Sequence, residues 1–402
     1  MPFDHITPLL KSNNSKIVLL VMDGLGGLPI EAGGSTELEA AKTPNMDRLA
    51  AEGMVGLSTP ILAGITPGSG PAHMVLFGYD PLHYEIGRGV LEAAGVGLHV
   101  GLGDIAARGN FVLLNEKGEI SDRRAGRIST EESAPLVERL NTITLPGVEL
   151  EVRQVREYRF AVVMRGSDLH PEIDDTDPQQ TGVLPLPALA REPAAEHTAE
   201  LFNQWIFKAS QTLAQNPKAN GLTLRGFSSD PNFPSFNKAY GLHAACISVY
   251  PMYKGIAKLV GMELVDFEGD APDDEFTAVK KHWEDHDFFF IHIKKTDSKG
   301  EDGDFHGKVE VIESVDRALP ALLGLEPDVL IITGDHSTPA LLRTHTWHPV
   351  PFLLWAPATV RPDDQTQFGE RSCAHGGIGH FRALDTMPLA LAHAGRIEKF
   401  GA

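Results

Sequence analysis

Three runs in the sequence, "IVLLVM", "FFFIHI" and "VLIIT", are apolar almost throughout without alternating, and an aspartate follows each within a few residues, in "KIVLLVMDG", "FFFIHIKKTD" and "VLIITGDH". A half-exposed strand would alternate apolar with polar residues. An unbroken run of strand length must be buried on both faces, which is the condition of a parallel sheet covered by helices. Such a sheet brings the carboxyl ends of its strands to one edge, where ligands gather. The pattern therefore predicts that Asp23, Asp297 and Asp335, with the adjacent His336, meet at that edge. Any one of these acids is equally an ordinary turn residue. Three of them, one beside a histidine, point instead to a site.

Further runs extend the sheet: "HAACISVY" and "VPFLLWAP" read as strands, and "TPNMDRLAAEGMVG", "YKGIAKLVGM", "DFHGKVEVIESVDRALPALLG" and "ALDTMPLALAHAG" as helices. Between about Gly97 and Phe236 the texture changes. "GNFVLLNEKGEISDRRAGRIS" reads as a hairpin turning at Glu116–Gly118, and "VELEVRQVREYRFAVVMRG" as paired antiparallel strands. The expected organisation is an α/β core from 1–96 and 237–402, its mostly parallel sheet flanked by helices, interrupted by an inserted α+β cap domain over 97–236.

Composition narrows the functional classes. A formal net charge of −19 over 402 residues argues against a nucleic-acid backbone as partner. It would also repel an anionic substrate, so local arginines or metal ions must reverse the field in any phosphate-binding cleft. No apolar stretch reaches the roughly 20 residues of a membrane span, so no membrane partner is expected. Two cysteines, Cys246 and Cys373, provide no disulfide framework, and with no signal-peptide pattern at the N-terminus the expected compartment is a reducing cytoplasm.

The segment "ITPGSGPAHMVLFGYD" sets Ser69 between Gly68 and Gly70 at the start of a helical run. One reading makes Ser69 a helix N-cap before Pro71; the other makes it a nucleophile at a helix N-terminus, where backbone amides favour a phosphate. The distant acids favour the second. Carboxylates and imidazoles in two clusters suit Mn²⁺, Zn²⁺ or Mg²⁺ and two-metal phosphoryl transfer, with an activated serine as nucleophile. "RTHTWHPVPFLLWAP" adds His345 as a further candidate ligand, with His348 close by.

The segments "VMDG", "TPNMDRLA", "TPGSGPAHMVLFGYDP", "KKTDSKGEDGDFHGKVEVIESVD", "TGDHSTPALLRTHTWHPVPFLLWAP" and "DTMPLALAHAG" together resemble the 2,3-bisphosphoglycerate-independent phosphoglycerate mutases, in their archaeal-type branch, within the alkaline phosphatase superfamily. The resemblance implies an alkaline-phosphatase-like fold and interconversion of 3- and 2-phosphoglycerate through a phosphoserine, without 2,3-bisphosphoglycerate. It implies two divalent ions, Mn²⁺ foremost, with Zn²⁺, Mg²⁺ or Co²⁺ as alternatives. One would be held by Asp23, Ser69, Asp335 and His336, the other by Asp297, His345 and the residue four after Asp297. There the chain departs from the family's D-x-x-x-H spacing: it has Glu301, with His306 as a rival donor.

A substrate carrying carboxylate and phosphate calls for guanidinium clamps. Arg123, Arg124 and Arg127 cluster within five residues of an acidic chain, while Arg225 and Lys254 lie in stretches similar to the family's substrate-binding segments. The loop "DDTDP", with Asp175 and Asp177, resembles a family segment that would serve acid/base chemistry on the glycerate hydroxyls. The runner-up function is a metal-dependent phosphatase or another phosphomutase of the same superfamily; a non-catalytic binding module would have lost Ser69 or several ligands.

Overall fold

The structure is a computed structural model that describes residues 2–84 and 87–401. Its strands are β1 Ile17–Met22, β2 Met54–Thr59, β3 Ile105–Leu114, β4 Ile120–Asp122, β5 Val148–Arg156, β6 Arg159–Gly166, β7 Gly221–Ser228, β8 Ala244–Ser248, β9 Glu263–Leu264, β10 Phe288–Ile293, β11 Val329–Thr333, β12 Val350–Trp355 and β13 Gly379–Arg382. The chain forms two compact units, Met1–Tyr84 with Phe233–Ala402, and Glu85–Asn232.

The first unit is built on an eight-stranded sheet of order β13-β2-β12-β11-β1-β10-β8-β9. Every residue of β1, β10 and β11 is buried, as unbroken apolar runs require when helices cover both faces. Val18, Leu20, Leu330, Ile332, Phe289 and Ile291 share one core with Ile312, Val315 and Leu319 of the long helix Phe305–Leu323. Met22 pairs with Ile293 and Val21 with Thr333, so the chain leaves all three strands at one edge.

One strand runs against the rest. β12 is antiparallel to both β11 and β2. Its apolar run, "VPFLLW", reads the same for either direction. The link from β11 decides it: residues 334–349 hold no helix, and adjacent strands joined without a crossover element must be antiparallel.

The second unit is an antiparallel sheet of order β4-β3-β6-β5, with β7 on the other side of β3. The β3–β4 turn falls at the predicted place, with Gly118 at φ 80° donating to the Asn115 carbonyl. Helices Thr130–Leu140 and Glu196–Leu213 contribute Leu136, Val137, Phe202 and Trp205 to its core. Helix Arg88–Gly95 lies on β3 and β7, so the division comes earlier than residues 96 and 97. Gly89 permits the close approach: a Cβ there would lie 2.2 Å from the Ala106 carbonyl oxygen. At the other boundary the Phe233 ring packs on Tyr79 and Tyr84, which ties residues 233–236 to the first unit.

One buried acid is unused by any of this architecture. Glu275, in helix Pro272–Lys281, is 2% exposed, and its Oε2 has no hydrogen-bond partner among the described residues. Burial, then the charge of Asp270, pushes its pKa up to about 9. A carboxyl that ionises near 4.5 when unfolded and near 9 when folded binds its proton more tightly in the native state, so stability falls as pH rises across that window. E275Q should raise the thermal midpoint at pH 8 by a few degrees and flatten its decline between pH 5 and about 9, measured by thermal melts across pH.

Candidate active site

Asp23 follows β1 directly, Asp335 follows β11 after Gly334, and Asp297 lies in the first turn of helix Lys295–Asp302 after β10. All three carboxylates are buried. The turn after Asp23 needs glycine: Gly24 has φ +63°, and a Cβ there would sit 2.5 Å from Thr338 Oγ1 and 2.9 Å from Asp297 Oδ1. The Gly24 amide donates to Asp335 Oδ1 at 3.1 Å. Lys308, fully buried, donates to the carbonyls of Gly24, Gly26 and Thr338 at 2.8, 3.1 and 2.9 Å, lacing the loops after β1 and β11 together.

His336 belongs to two clusters of donor atoms. With Asp23 and Asp335 it forms one group, and with Asp297 and His345 another; within each, the ligand atoms lie inside 4.8 Å of one another. Its Nε2 is 3.3 Å from both Asp23 Oδ1 and Asp335 Oδ2. Thr338 Oγ1 donates to Asp297 Oδ1 at 2.6 Å and so accepts from His336 Nδ1 at 3.0 Å, which puts the ring proton on Nδ1 and leaves Nε2 an electron pair. Burial holds the His336 pKa below its ordinary value, against the pull of Asp335 and Asp23, so the ring is neutral. His345 is set in the same way: its Nδ1 meets the Pro67 carbonyl at 3.1 Å, freeing Nε2, which lies 3.6 Å from Asp297 Oδ1 and 3.9 Å from Glu301 Oε1. The two rings stack at 3.6 Å.

This donor set fits divalent cations. Asp23 Oδ1 is buried with no hydrogen-bond partner among the described residues, Asp335 Oδ2 has the His73 ring nitrogen at 3.1 Å, and His336 turns an electron pair toward both oxygens. Acceptors facing one another away from water are costly unless a positive charge lies among them. Imidazole nitrogens whose other N–H is held by a carbonyl or hydroxyl are arranged as metal ligands are.

Ser69 opens helix Ser69–Leu76 as its first residue, and Gly68, extended at φ −82° and ψ 157°, is the N-cap. The N-cap reading of Ser69 is thereby corrected. Its Oγ makes no capping bond and lies 3.4 Å from His336 Nε2. One turn on, His73 Nδ1 meets the Ser69 carbonyl at 2.8 Å and Asp335 Oδ2 at 3.1 Å. Burial lowers the His73 pKa, but the charge of Asp335 and its hydrogen bond outweigh that and leave it raised.

The sequence model for "2,3-bisphosphoglycerate-independent phosphoglycerate mutase" matches residues 50–219. A Thermus thermophilus protein named "Probable 2,3-bisphosphoglycerate-independent phosphoglycerate mutase" is 51% identical, over 100% of this chain and 99% of its own. An Aquifex aeolicus protein of the same name is 49% identical over 99% of this chain and 100% of its own. The chain belongs to the 2,3-bisphosphoglycerate-independent phosphoglycerate mutase family. Among solved structures, a Pyrococcus horikoshii protein is 31% identical with a TM-score of 0.83, covering 97% of this chain and 100% of that one. The cofactor-independent phosphoglycerate mutase from Thermoplasma acidophilum is 30% identical with a TM-score of 0.76, over 95% and 100%.

In this mutase the position four after Asp297 is close to the second cluster. Glu301 reaches toward His345, whereas His306 is exposed and makes no hydrogen bond or ion pair with the cluster among the described residues. Burial and the charge of Asp297 raise the Glu301 pKa. Several neighbours of these carboxylates are not among the residues singled out from the sequence. Lys294 Nζ lies 2.9 Å from Asp23 Oδ2 and 2.5 Å from Asp297 Oδ2. Tyr253 donates to Asp23 Oδ2 at 2.5 Å, and His292 Nε2 is 3.3 Å from the same oxygen. Burial raises the Asp23 pKa, but Lys294 foremost, with His292 and His336, brings it well below the carboxylate range.

The substrate-binding candidates divide. Within the second unit Arg123 grips Asp177 with both Nε and Nη2, at 3.2 and 2.8 Å. Arg225 Nε meets Asp175 Oδ2 at 3.2 Å, and its Nη1 lies 3.6 Å from Asp177 Oδ2. Burial raises the Asp177 pKa, yet the Arg123 hydrogen bond and charge overcome this and lower it. Arg124 and Arg127 are not brought into that network; both are exposed and make no side-chain hydrogen bond or ion pair among the described residues. Lys254, in the first unit, is half-buried beside Tyr253 and likewise makes none.

Lys294 offsets the charge of two buried carboxylates, so in metal-free protein K294M should lower stability by about 3 kcal/mol, the cost of orphaning a buried charge pair. Thermal melts in EDTA read this loss, and added Mn²⁺ should restore most of it in the variant.

Proposed function

We propose that the enzyme interconverts 3-phosphoglycerate and 2-phosphoglycerate, without 2,3-bisphosphoglycerate, through a phosphoryl group carried on Ser69. The observation that carries this reading is the Ser69 hydroxyl, uncommitted to capping, 3.4 Å from the imidazole shared by both donor clusters. Asp23, Asp335, His336 and Ser69 would hold one divalent ion, and Asp297, His345 and Glu301 the other. When bound, the ions supply Lewis acidity for activating the serine hydroxyl and neutralising the phosphate oxygens. Mn²⁺ suits this mixture of carboxylates and imidazoles, with Zn²⁺, Mg²⁺ and Co²⁺ as alternatives.

Ser69 Oγ attacks the phosphorus of 3-phosphoglycerate, and the bond to the 3-oxygen breaks. The oxygen departs as the 3-hydroxyl of glycerate, taking up the proton that the serine gives up. Gly68 as N-cap and Pro71 as third residue leave the amides of Ser69 and Gly70 without intrahelical acceptors, and these face a bound phosphoryl group at the helix N-terminus. His73 anchors that turn by joining the Ser69 carbonyl to Asp335. Glycerate turns over without leaving, its 2-hydroxyl attacks the seryl phosphate, and Ser69 regains its proton. We assign the anionic end of the substrate to Arg123 and Arg225, which Asp177 and Asp175 hold in fixed orientation; Arg124, Arg127 and Lys254 rank below them. Both cysteines are free and buried, which accords with a reducing cytoplasm as the site of action.

The deciding assay supplies 3-phosphoglycerate and Mn²⁺ and omits 2,3-bisphosphoglycerate. Formation of 2-phosphoglycerate is the expected result; release of free phosphate would make the enzyme a phosphatase. S69A should abolish turnover with the fold intact by circular dichroism. E301A should retain one metal ion fewer by mass spectrometry. R123K, which trades a bidentate fork for a point charge, should raise KM about tenfold or more with kcat less affected.

A further inference from the structure

At the opposite end of the same sheet three side chains converge for which the mutase reaction has no use. His243 immediately precedes β8, His286 lies two residues before β10, and Glu263 starts β9. Ala244 pairs with Phe288 and Ala245 with Glu263, so the strand ladder itself sets the three backbones side by side. Their ligand atoms lie within 4.8 Å of one another. They are at the amino ends of these strands, while the active-site acids leave the carboxyl ends. The length of β10 alone, roughly 20 Å at about 3.3 Å per residue, separates the two.

Both imidazoles are oriented by their inner nitrogen. His243 Nδ1 meets the Asp285 carbonyl at 2.7 Å, and His286 Nδ1 meets the His282 carbonyl at 3.3 Å. A nitrogen facing a carbonyl carries the ring proton, so each neutral ring presents a bare Nε2. Both Nε2 atoms face one oxygen: Glu263 Oε2, at 3.8 Å from His243 and 3.2 Å from His286. The rings stack at 4.5 Å and 12°, and His286 is 2% exposed. Two cations of adjoining segments are committed elsewhere. Lys16 Nζ donates to the carbonyls of Trp283 and His286, and Arg396 pairs with Asp287.

We propose that His243, Glu263 and His286 bind a divalent transition metal of borderline softness, Zn²⁺ above all, separately from the active site. Two imidazoles and a carboxylate, leaving one position to water, are a zinc donor set. The absence of thiolate disfavours copper(I), and a hard ion such as Ca²⁺ calls for more oxygen ligands. Carbonyl-held Nδ1 protons are the outer shell that such ligands carry. The ion would clip β9, a two-residue edge strand, to β8 and β10.

The test is Zn²⁺ binding to the metal-stripped full-length enzyme at pH 7.5, by calorimetry and by metal analysis after dialysis. Wild type is compared with E263Q and H243N. Both side chains are more than half exposed, at 54% and 58%, so folding tolerates the changes. Each variant should retain one equivalent fewer, with an affinity loss exceeding the roughly 10–100-fold that follows removal of an outer-shell partner. Turnover with Mn²⁺ should be unchanged, and E263H should restore the equivalent. D335N, altered only at the active site, should keep it. Unchanged stoichiometry and affinity in E263Q and H243N would overturn the proposal and reduce the cluster to an ordinary histidine–glutamate contact.

Discussion

Three carboxylates buried side by side are the constraint around which the first unit is arranged. Two like charges about 4 Å apart repel by about 4 kcal/mol at an effective dielectric near 20, and burial adds a desolvation cost to each. The chain answers with directed donors. Lys294 spans Asp23 and Asp297, Tyr253 donates to Asp23, and the Gly24 amide and His73 serve Asp335. None of these partners would be in reach without the strand order β10-β1-β11, which sets the three strand ends in a row. The buried Lys308, tying together the carbonyls of the two loops, keeps them from spreading.

Much of this was legible in the sequence because the signals are local. Apolar runs such as "KIVLLVM" state burial on both faces, and an acid at the end of each run states where it emerges. The direction of β12 was not legible, since an apolar run carries no sense of direction and the missing crossover helix is a negative feature. His73 and His292 left signals that spacing alone reveals. His73 is four residues after Ser69, one helical turn along the same face, and His292 is a polar interruption in the buried strand β10. Lys294 and Tyr253 left none, because their importance depends on which side chains the sheet sets opposite them.

In the second unit the ion-pair network does not follow closeness in sequence. Arg123, Arg124 and Arg127 are close in sequence, yet the tight turn at Ala125–Arg127, with φ 48° at Ala125 and 53° at Arg127, leaves two of the three exposed. Arg123 meets Arg225 instead, through Asp177, across a sequence separation that charge counting does not see. At Ser69 the difference was a single residue. Had Ser69 been the N-cap, its hydroxyl would have been drawn to the amides of the first turn. With Gly68 in that place, the third residue is Pro71, which has no N–H to offer, and the serine oxygen is left without a capping bond.

The strand order also has a consequence in time. Asp23 and Lys294 are 271 residues apart, and the Gly24 amide finds its Asp335 partner 311 residues later. Synthesis at roughly 5–20 residues per second separates the emergence of β1 from that of its neighbours by tens of seconds. During that interval the whole of Glu85–Asn232 emerges, with a core of its own to close around. The first strand of the sheet must therefore wait, apolar on both faces and without its hydrogen-bonding neighbours, until β10 at Phe288–Ile293 of the 402 residues has emerged. Contacts of such long sequence range form slowly, because the loop must close before any of them forms. For this enzyme, nascent β1 is the segment most in need of protection from aggregation.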